Sequence, residues 1–439
     1  MQQKIILEGG RKLKGEVTIS GAKNAALKLM AASILLKDNC EIHNVPELTD
    51  VHTMTDLLQV LGAKVEYNTK EKKVLINAFD INYVEAPYDF VSKMRASFIV
   101  LGALLGRFHE AKVALPGGCS IRERRIDLHI KGLESLGAQV KIENGYVIAK
   151  AKKLVGSKIY LDRPSVGATE NIMLAAVLAE GSTIISNAAQ EPEITDLANF
   201  LNAIGADVNG GGTSEIIING VKQKNLRSAA YTTIPDRIEA GTYIAAIIAT
   251  KGKAVIKNIF PNHLSAVISK VVEMGGKVSI LDPFSIEVSC NTRLKAINIV
   301  TQPYPGFPTD LQSPFISALA TADGISIISE NIYENRFRQL GELRRMGADV
   351  QQESSKAIIK GVEHLTGAQV ITSDLRAGAS LVIAGLCAEG ISEISDFYHI
   401  DRGYEKFIEK FVNLGANIKK INVDENNLDV KINVDEKLY

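Results

Sequence analysis

The sequence has no tryptophan, only four cysteines and no excess of charge of either sign. Its 439 residues carry 50 Lys plus Arg against 50 Asp plus Glu, so the formal net charge is zero. A general binder of nucleic acid or of acidic membranes needs a basic excess, and its absence argues against both classes. Any anionic ligand must therefore meet a local cluster of cations.

Long apolar runs are also missing. The longest, 98–105 and 377–388, fall well short of the eighteen or more residues that a membrane-spanning helix needs, and no secretory signal is visible at the N-terminus. The cysteines (40, 119, 290 and 387) lie far apart without a Cys-x-x-Cys pair, which favours reduced thiols over a disulfide scaffold or a zinc site. We therefore expect a cytoplasmic globular protein.

Common cofactor and catalytic motifs are absent as well. The sequence contains no phosphate-binding P-loop, no Gly-x-Gly-x-x-Gly fingerprint, no His-Glu-x-x-His and no Gly-x-Ser-x-Gly elbow. The seven histidines show no metal-ligand spacing, and a structural hydrogen-bonding role is expected for His129 and His399. No metal and no cofactor are predicted.

An internal repeat is what the sequence does contain. A helix end followed by Gly-Ala, or a near variant, and then a strand recurs six times, at glycines 62, 137, 205, 275, 347 and 415. A helix that turns directly into a strand commonly ends on a left-handed residue, which glycine adopts at no steric cost. Upstream, each unit carries a helix that is apolar almost all round, a strand, and a more amphipathic helix, a pattern that predicts an α/β protein.

Six such units could form a solenoid or two lobes of three units. No terminal unit resembles the polar cap that a solenoid needs, which favours two lobes. We predict one lobe over 22–232 and the other over 1–21 plus 233–439, with the chain crossing between them near 231–233.

Polar or charged residues occupy equivalent positions just before or at the start of the first helix in each unit. They are Lys23 with Asn24, Arg95, Ser165 with Val166 and Gly167, Asp236 with Arg237, Thr309 with Asp310, and Asp374 with Arg376. If the lobes face each other through these helix starts, the residues converge on one cleft suited to an anion. Helix capping is the alternative for Ser165, Asp236 and Asp310. Capping does not explain Lys23, Arg95 or Arg376, because a cation at a helix N-terminus opposes the helix dipole.

The second unit carries a longer loop, 116–125, in which a Gly-Gly pair precedes Cys119 and three arginines follow it. Nearby cations favour a reactive thiol, and the alternative is an incidental exposed cysteine. The other three cysteines adjoin strands or an apolar helix and are predicted to be packed.

These features identify a family resemblance over essentially the whole chain. The sequence resembles the enolpyruvyl transferases in the segments 21–26, 116–119, 165–169, 235–239, 307–310, 334–337, 374–377 and 399–404. The resemblance implies two domains, each an inside-out α/β barrel of three repeats, with the N-terminal strand joining the C-terminal domain.

The resemblance also implies a reaction. In the most similar branch, the enolpyruvyl group of phosphoenolpyruvate passes to the 3-hydroxyl of UDP-N-acetylglucosamine through a tetrahedral phosphoketal, and phosphate is released. This step commits precursors to peptidoglycan. The nearest alternative is the sibling that uses shikimate 3-phosphate but lacks the cysteine loop. A non-catalytic two-lobed scaffold would fit the repeat but not the cations at the helix starts.

Site residues follow from the same resemblance. It implies that Cys119 is the proton donor and a candidate for a covalent adduct, and that Asp310 is the base. The phosphoenolpyruvate ligands would be Lys23, Asn24, Arg124, Arg376 and Arg402. The nucleotide-sugar ligands would be Arg95, Arg124, Arg125, Ile126, Asp127, Leu128, Arg163, Ser165, Val166, Gly167, Asp310 and Ile332. Because these residues come from both lobes, closure of the lobes should accompany binding.

Two positions depart from the family pattern. Residues 122–125 read Arg-Glu-Arg-Arg where Gly-Ala-Arg-Pro is common in the family, and Arg163 stands where lysine is common. Arginine keeps the charge of lysine but changes the geometry of its contacts. The surface offered to uracil is therefore expected to differ.

Overall fold

The computed structural model of the chain describes residues 2–92, 94–115, 126–333 and 336–423. These residues form twenty-six strands. The strands are β1 Gln2–Glu8, β2 Lys14–Thr18, β3 Asn39–His43, β4 Lys64–Asn68, β5 Lys73–Asn77, β6 Glu85–Ala86, β7 Glu110–Ala114, β8 Gln139–Glu143, β9 Tyr146–Lys150, β10 Lys158–Tyr160, β11 Ser182–Ser186, β12 Asp207–Asn209, β13 Glu215–Asn219, β14 Ala229–Thr232, β15 Lys253–Lys257, β16 Lys277–Asp282, β17 Ser285–Ser289, β18 Ile299–Val300, β19 Ile325–Ser329, β20 Asp349–Glu353, β21 Lys356–Lys360, β22 Leu365–Thr366, β23 Gln369–Ile371, β24 Ala388–Glu389, β25 Ile391–Ser395 and β26 Asn417–Val423.

The same residues form fourteen α-helices and five short 3₁₀ helices. The α-helices are α1 Lys23–Ala32, α2 Thr49–Val60, α3 Tyr88–Val91, α4 Val100–Phe108, α5 Asp127–Ser135, α6 Val166–Ala176, α7 Pro192–Ala203, α8 Arg237–Ala249, α9 Ser265–Glu273, α10 Gln312–Leu319, α11 Leu340–Arg345, α12 Leu375–Cys387, α13 Tyr398–Asp401 and α14 Phe407–Asn413. The 3₁₀ helices are Ser33–Leu35, Arg95–Ile99, Gln223–Asn225, Pro261–Leu264 and Thr309–Leu311.

Across the described residues, the strands form six four-stranded sheets of one pattern and a small pair, β22–β24. In each four-stranded sheet an edge strand pairs parallel with its neighbour, and the other pairings are antiparallel. The orders are β14-β3-β5-β4, β6-β7-β9-β8, β10-β11-β13-β12, β2-β15-β17-β16, β18-β19-β21-β20 and β23-β25-β1-β26. The α/β class predicted from the repeat is thus confirmed.

The start of the chain is built into the later sheets. Strand β1 lies between β25 and β26 and pairs antiparallel with both, while β2 pairs with β15. The chain leaves these later sheets after β2 and returns to them after β14. The outgoing passage and the return passage touch through a bridge between Gly21 and Pro235. Tyr231 and Thr232 still pair with β3, so the return passage follows them directly.

The buried apolar side chains form two clusters. One extends from Ala26 to Ile218, and the other joins the segment from Ile5 to Ile19 with that from Ile238 to Ile418. The first helix of each unit is apolar almost all round and is buried, as predicted; in α8 every residue from Ile238 to Ala249 is buried. Helices α8, α10 and α12 pack against one another, and α4 packs against α1 and α6.

The repeat glycines have the backbone conformation that the sequence predicts. All six have positive φ, between 84° and 107°, where each second helix turns into a strand. A different constraint applies to Gly102 in α4, where an added Cβ would lie 2.2 Å from the carbonyl oxygen of Asn171. This glycine allows α4 and α6 to approach closely, which brings together the helix starts that carry the site.

Candidate active site

A buried carboxylate, Asp50, joins cations from two distant parts of the chain. Its Oδ2 accepts a hydrogen bond from Lys23 Nζ at 2.8 Å, and its Oδ1 accepts one from Arg402 Nε at 3.0 Å. Lys23 is the first residue of α1, Asp50 lies in the first turn of α2, and Arg402 follows α13. The arrangement brings together two of the predicted phosphoenolpyruvate ligands.

The charge of Asp50 is stabilised by these partners. Burial raises the pKa of its carboxyl, but the charges and hydrogen bonds of Lys23 and Arg402 outweigh burial, and the pKa lies below its usual value. Asp50 is therefore an anion that holds two cations about one point. From the sequence, only a bound anion explained the cation Lys23 at the start of α1. The structure shows that Lys23 also has a partner within the protein, Asp50.

A second carboxylate, Asp310, is held between two arginines. Arg336 Nη2 donates to its Oδ1 at 2.6 Å, and Arg376 Nη2 donates to its Oδ2 at 2.9 Å. Arg336 Nη1 also donates to Thr309 Oγ1 at 2.9 Å. The capping role considered for Asp310 is wrong: the N-cap of α10 is Leu311, which makes no side-chain cap, and both Asp310 oxygens face arginines. The reason is that a 3₁₀ turn, Thr309–Leu311, precedes α10, so Asp310 lies inside this turn and not at the N-cap of α10.

The two clusters are linked through Tyr404, two residues after Arg402. The guanidinium of Arg376 lies over the Tyr404 ring, with its carbon 5.3 Å from the ring centroid. Burial lowers the pKa of Arg376, but Tyr404, Asp310 and Asp236 together outweigh burial and leave it raised. Arg376 is therefore a fixed positive charge between the clusters.

Capping explains three of the other helix starts. The Asp236 carboxylate accepts from the backbone of Ile238 and Glu239, Asp374 accepts from Arg376 and Ala377, and Ser165 accepts from Ala168. Each of these side chains satisfies backbone N–H groups that the first turn leaves unpaired. The capping alternative is thus confirmed for Ser165 and Asp236.

Several predicted nucleotide-sugar ligands lie around the start of α5. Asp127, its first residue, pairs with Arg163 at 3.0 Å, and both side chains are about half exposed. His129 lies beside Gly167, whose added Cβ would be 3.1 Å from the imidazole Cε1. Burial and the nearby charge of Arg95 lower the pKa of His129 to about 4, so this imidazole is neutral at pH 7.

The neutral His129 has a structural partner. Its Nδ1 lies 2.9 Å from Asn171 Nδ2, and Asn171 Oδ1 accepts from the Gly102 backbone at 2.7 Å. The structural role expected for this histidine is therefore confirmed. Of its neighbours in sequence, Leu128 is buried and Ile126 is partly buried at the N-cap of α5.

The remaining predicted residues divide into two groups. In the first group, Asn24 has an exposed side chain next to Lys23, and Val166 is partly buried at the start of α6. The backbone of Ile332 donates to Glu330, which also accepts from Thr309 beside Asp310. Cys119, Arg124 and Arg125 lie outside the described residues.

Two charged residues of the site were missed in the sequence. Asp50 stands in the first turn of a second helix, whereas the recurring charged residues lie at the starts of the first helices. Arg336 belongs to the matched segment 334–337, but no role was assigned to it. For Asp50 the available signal was an acidic residue on an amphipathic helix that turned out to be buried.

Comparison with known proteins places this site in a family. A sequence model of EPSP synthase, 3-phosphoshikimate 1-carboxyvinyltransferase, matches residues 7–411. The chain belongs to the EPSP synthase family. Two curated relatives in this family are 51% identical to the chain. One is UDP-N-acetylglucosamine 1-carboxyvinyltransferase 2 of Carboxydothermus hydrogenoformans, aligned over 95% of this chain and 99% of the relative.

The other relative is UDP-N-acetylglucosamine 1-carboxyvinyltransferase 1 of Caldanaerobacter subterraneus subsp. tengcongensis, with the same coverage. The fold matches solved structures of more distant members. The enolpyruvyl transferase NikO from Streptomyces tendae has a TM-score of 0.87 at 23% identity, over 96% of this chain and all of that one. An EPSP synthase from Acinetobacter baumannii has a TM-score of 0.74 at 20% identity and the same coverage. The α/β fold of this family is thus confirmed for the chain.

Two further features of this family member concern membrane-spanning helices and metal sites. Within the described ranges, no helix has the length and apolarity to cross a membrane. In the same ranges, no group of three or more His, Cys, Asp or Glu side chains could hold a metal ion.

Proposed function

We propose that this member of the EPSP synthase family transfers the enolpyruvyl group of phosphoenolpyruvate to the 3-hydroxyl of UDP-N-acetylglucosamine and releases phosphate. The observation that carries the proposal is 51% identity, over 95% of the chain, to enzymes named for this transfer. The reaction supplies a precursor of peptidoglycan. The cytoplasmic location predicted from the cysteine usage stays a prediction.

The charges of the site suit phosphoenolpyruvate, which carries a phosphate and a carboxylate. In the Asp50 cluster two cations share one carboxylate, and in the Asp310 cluster two arginines share another. Each cluster by itself therefore has one positive charge in excess. Charge-assisted hydrogen bonds from such groups would bind both anionic ends and stabilise charge that develops there during reaction.

We assign the phosphoenolpyruvate clamp to Lys23, Asn24, Arg124, Arg376 and Arg402. In support, Lys23 and Arg402 meet on Asp50, and Arg376 is joined to the same region through Tyr404. The assignments of Asn24 and Arg124 rest on the family resemblance alone.

We assign Asp310 as the base that takes the proton of the sugar hydroxyl. In support, Arg336 and Arg376 each donate a hydrogen bond to its carboxylate, which holds the group in a fixed orientation and favours its ionised form. Cys119 would protonate the enol C3 while the hydroxyl attacks C2, which gives a tetrahedral phosphoketal and a Cys119 thiolate. Phosphate would then leave C2 as a proton passes from C3 back to this thiolate, which restores the C2–C3 double bond in the transferred group. A positioned acid or base of this kind typically contributes about 10² to 10⁴ in rate.

The nucleotide-sugar contacts are proposed to come from the surroundings of α5. Two observations support this proposal. Asp127 pairs with Arg163 at the start of α5, and His129 lies beside Gly167 and within reach of the charge of Arg95. The same site would include Arg124, Arg125, Ile126, Leu128, Ser165, Val166, Asp310 and Ile332.

We propose for the architecture that 22–232 and 1–21 plus 233–439 form two lobes, each an inside-out α/β barrel of three repeated units. Six similar sheets and two separate apolar cores support this division. The clamp takes Lys23 from one lobe and Arg402 from the other, so lobe closure would assemble it.

Phosphate release from phosphoenolpyruvate tests the function. We expect release with UDP-N-acetylglucosamine and none with shikimate 3-phosphate. Release with shikimate 3-phosphate alone would favour the sibling reaction. Release with neither acceptor would reject the enzyme and leave a two-lobed scaffold.

A further inference from the structure

Glu405 is a buried acid outside the set of residues assigned above. It is only 3% exposed, and it lies three residues after Arg402. Its Oε1 accepts a hydrogen bond from the Glu47 backbone at 2.8 Å. Its Oε2 accepts from Ser20 Oγ at 2.7 Å and from Lys72 Nζ at 2.6 Å. One carboxylate thus joins three segments that are remote in sequence.

The positions of these partners match the positions of the clamp residues. Ser20 precedes Lys23 by three residues, and Glu47 precedes Asp50 by three. Glu405 itself follows Arg402 by the same interval. The segments of Ser20, Glu47 and Glu405 itself are therefore the three that carry the ion pairs of Lys23, Asp50 and Arg402, whereas Lys72 belongs to a fourth segment.

The segment around Ser20 is held from a second side. Lys410 Nζ donates to Ser20 Oγ at 2.7 Å and pairs with Glu239, whose Oε2 accepts from the Ser20 backbone at 2.8 Å. Ser20 and Glu405 therefore do not move independently of the body formed by α8 and α14.

Lys72 extends the network to the first sheet. It lies in the turn between β4 and β5, and its carbonyl accepts from the Val45 backbone at 2.9 Å. The turn, the segment that leads into α2 and the segment that follows α13 are thus fixed relative to one another.

Glu405 is charged in this setting. Burial raises the pKa of its carboxyl, but hydrogen bonds from Glu47, Lys72 and Ser20 outweigh burial and lower it. An ionised acceptor makes stronger bonds to all three partners than a neutral amide would.

We propose that Glu405 is a positioning residue that sets the spacing of Lys23, Asp50 and Arg402 and thereby forms the phosphoenolpyruvate clamp across the two lobes. The inference rests on the proposed function. Glu405 acts through its backbone-linked neighbours, since its own carboxylate is occupied by Glu47, Lys72 and Ser20. Loss of its charge should misplace the clamp while leaving the nucleotide-sugar residues around α5 in position.

The test compares Glu405→Gln with Asp196→Asn as a matched control. Asp196 is also buried and ties α7 to the return passage through Tyr231 Oη at 2.7 Å and the Ile234 backbone. Because the Ile234 carbonyl accepts from the backbone of Ala22 next to Lys23, an equal effect of this control would indicate a general disturbance of that passage and not the loss of the Glu405 charge. We expect Glu405→Gln to raise the KM for phosphoenolpyruvate about tenfold or more, because small misplacements of binding groups are costly. The KM for UDP-N-acetylglucosamine should change less than about twofold. The control should leave both KM values within that range.

Lys72→Met is the second variant, chosen because the Lys72 side chain is partly exposed. It should raise the KM for phosphoenolpyruvate in the same direction by about threefold, and the double variant should show less than the product of the two effects. Circular dichroism establishes that each variant is folded. If Glu405→Gln does not fold, Lys72→Met decides alone.

An unchanged KM for phosphoenolpyruvate in folded Glu405→Gln, or equal changes in both KM values, would overturn the proposal. Calorimetric titration with inorganic phosphate, a product of the reaction, separates this failure from failure of the proposed function. If the wild-type protein shows no turnover, weaker phosphate binding by Glu405→Gln than by Asp196→Asn would support the clamp and reject only the reaction. Equal phosphate binding by the two variants would reject the clamp role as well.

Discussion

Asp50 shows how a single side chain can decide the geometry of a site. Its carboxylate accepts hydrogen bonds from Lys23 at 2.8 Å and from Arg402 at 3.0 Å, and these cations come from distant segments. Asp50 itself is almost completely shielded from water. In such surroundings a lone charge is costly, and removal of one partner leaves the others uncompensated. Asp310 is likewise a carboxylate shared by two cations, Arg336 and Arg376.

Replacing Asp50 with asparagine should therefore destabilise the protein. We expect Asp50→Asn to lower the free energy of unfolding by about 3 kcal/mol at pH 7, because Lys23 and Arg402 would face each other without the anion. Urea unfolding followed by circular dichroism measures this change. Inorganic phosphate should restore more stability to the variant than to the wild type, and an equal effect on both would contradict the clamp.

The contribution of Asp50 should also depend on pH in a defined direction. Its pKa in the folded protein lies below the usual value, so the stabilisation is fully present at neutral pH and is lost as the pH falls through that lowered pKa. Asp50→Asn should consequently approach the wild type in stability only under acidic conditions.

The three cysteines that the structure describes are poor targets for alkylation. Cys290 is buried, and its thiol donates to the Thr292 carbonyl at 3.3 Å. Burial raises the pKa of Cys40 and of Cys387 to about 12, so neither thiol is a nucleophile near neutral pH. A small phosphonate epoxide such as fosfomycin should therefore alkylate Cys119, where nearby arginines attract the phosphonate. Intact-mass and peptide analysis would locate the label, and labelling at Cys40 or Cys387 would count against the assignment.

Variants of Cys119 separate its proposed role as an acid from its proposed role as a nucleophile. Cys119→Asp should retain turnover but escape the label, because a carboxylic acid can donate the proton. Cys119→Ser should lose about 10² to 10⁴ in kcat, the usual contribution of a general acid. A fully active serine variant would remove the proton-donor role.

At the scale of elements, the repeat depends on the turn from each second helix into a strand. The six glycines at this turn share a left-handed backbone that other residues adopt only with strain. Because the same turn recurs, the first helices of all units begin at equivalent places. The helix starts that carry Lys23, Asp310 and Arg376 are therefore products of the repeat.

A matched pair of glycine variants tests the turn. Gly275 has φ +92° and Gly341 lies within α11, and an added Cβ would meet no atom within 4 Å at either position. We expect Gly275→Ala to lower the free energy of unfolding by about 1 to 2 kcal/mol through backbone strain alone. Gly341→Ala should raise it by about 0.5 to 1 kcal/mol, since alanine favours the helix. Equal effects in urea unfolding would show that the turn conformation is not the cause.

At the scale of the whole molecule, buried polar contacts join distant segments of the chain. Arg237 at the start of α8 pairs with Glu193 of α7 at 3.1 Å, Glu405 binds Lys72, and Asp196 binds Tyr231 next to the return passage. Buried pairs of this kind add little net stability, but they select one arrangement of the segments over others. Their positions indicate that the relative placement of the two halves is specified by charge as well as by packing.

Asp196 makes the stability of the whole molecule depend on pH. Burial raises its pKa to about 7 in spite of the Tyr231 hydrogen bond, whereas in the unfolded chain it ionises near pH 3.9. Between these values the folded state binds the extra proton, so the contribution of Asp196 to stability falls as the pH rises. Asp196→Asn should remove this slope and gain about 3 kcal/mol relative to the wild type between pH 5 and pH 8. Urea unfolding at both pH values measures it, and parallel slopes would contradict the shift.

The sequence by itself determined the repeat, the α/β class, the left-handed glycines and the helix starts, because these depend on local backbone preference and apolar periodicity. It also pointed to Lys23, Arg376 and Arg402 through their position or the family resemblance. Only the tertiary structure showed that Asp50 joins Lys23 to Arg402, that Arg336 shares Asp310 with Arg376, and that Glu405 gathers three remote segments. Such contacts join residues from 26 to 385 positions apart, and no local preference encodes them. They arise when packing brings the segments together and burial makes each charge require a partner.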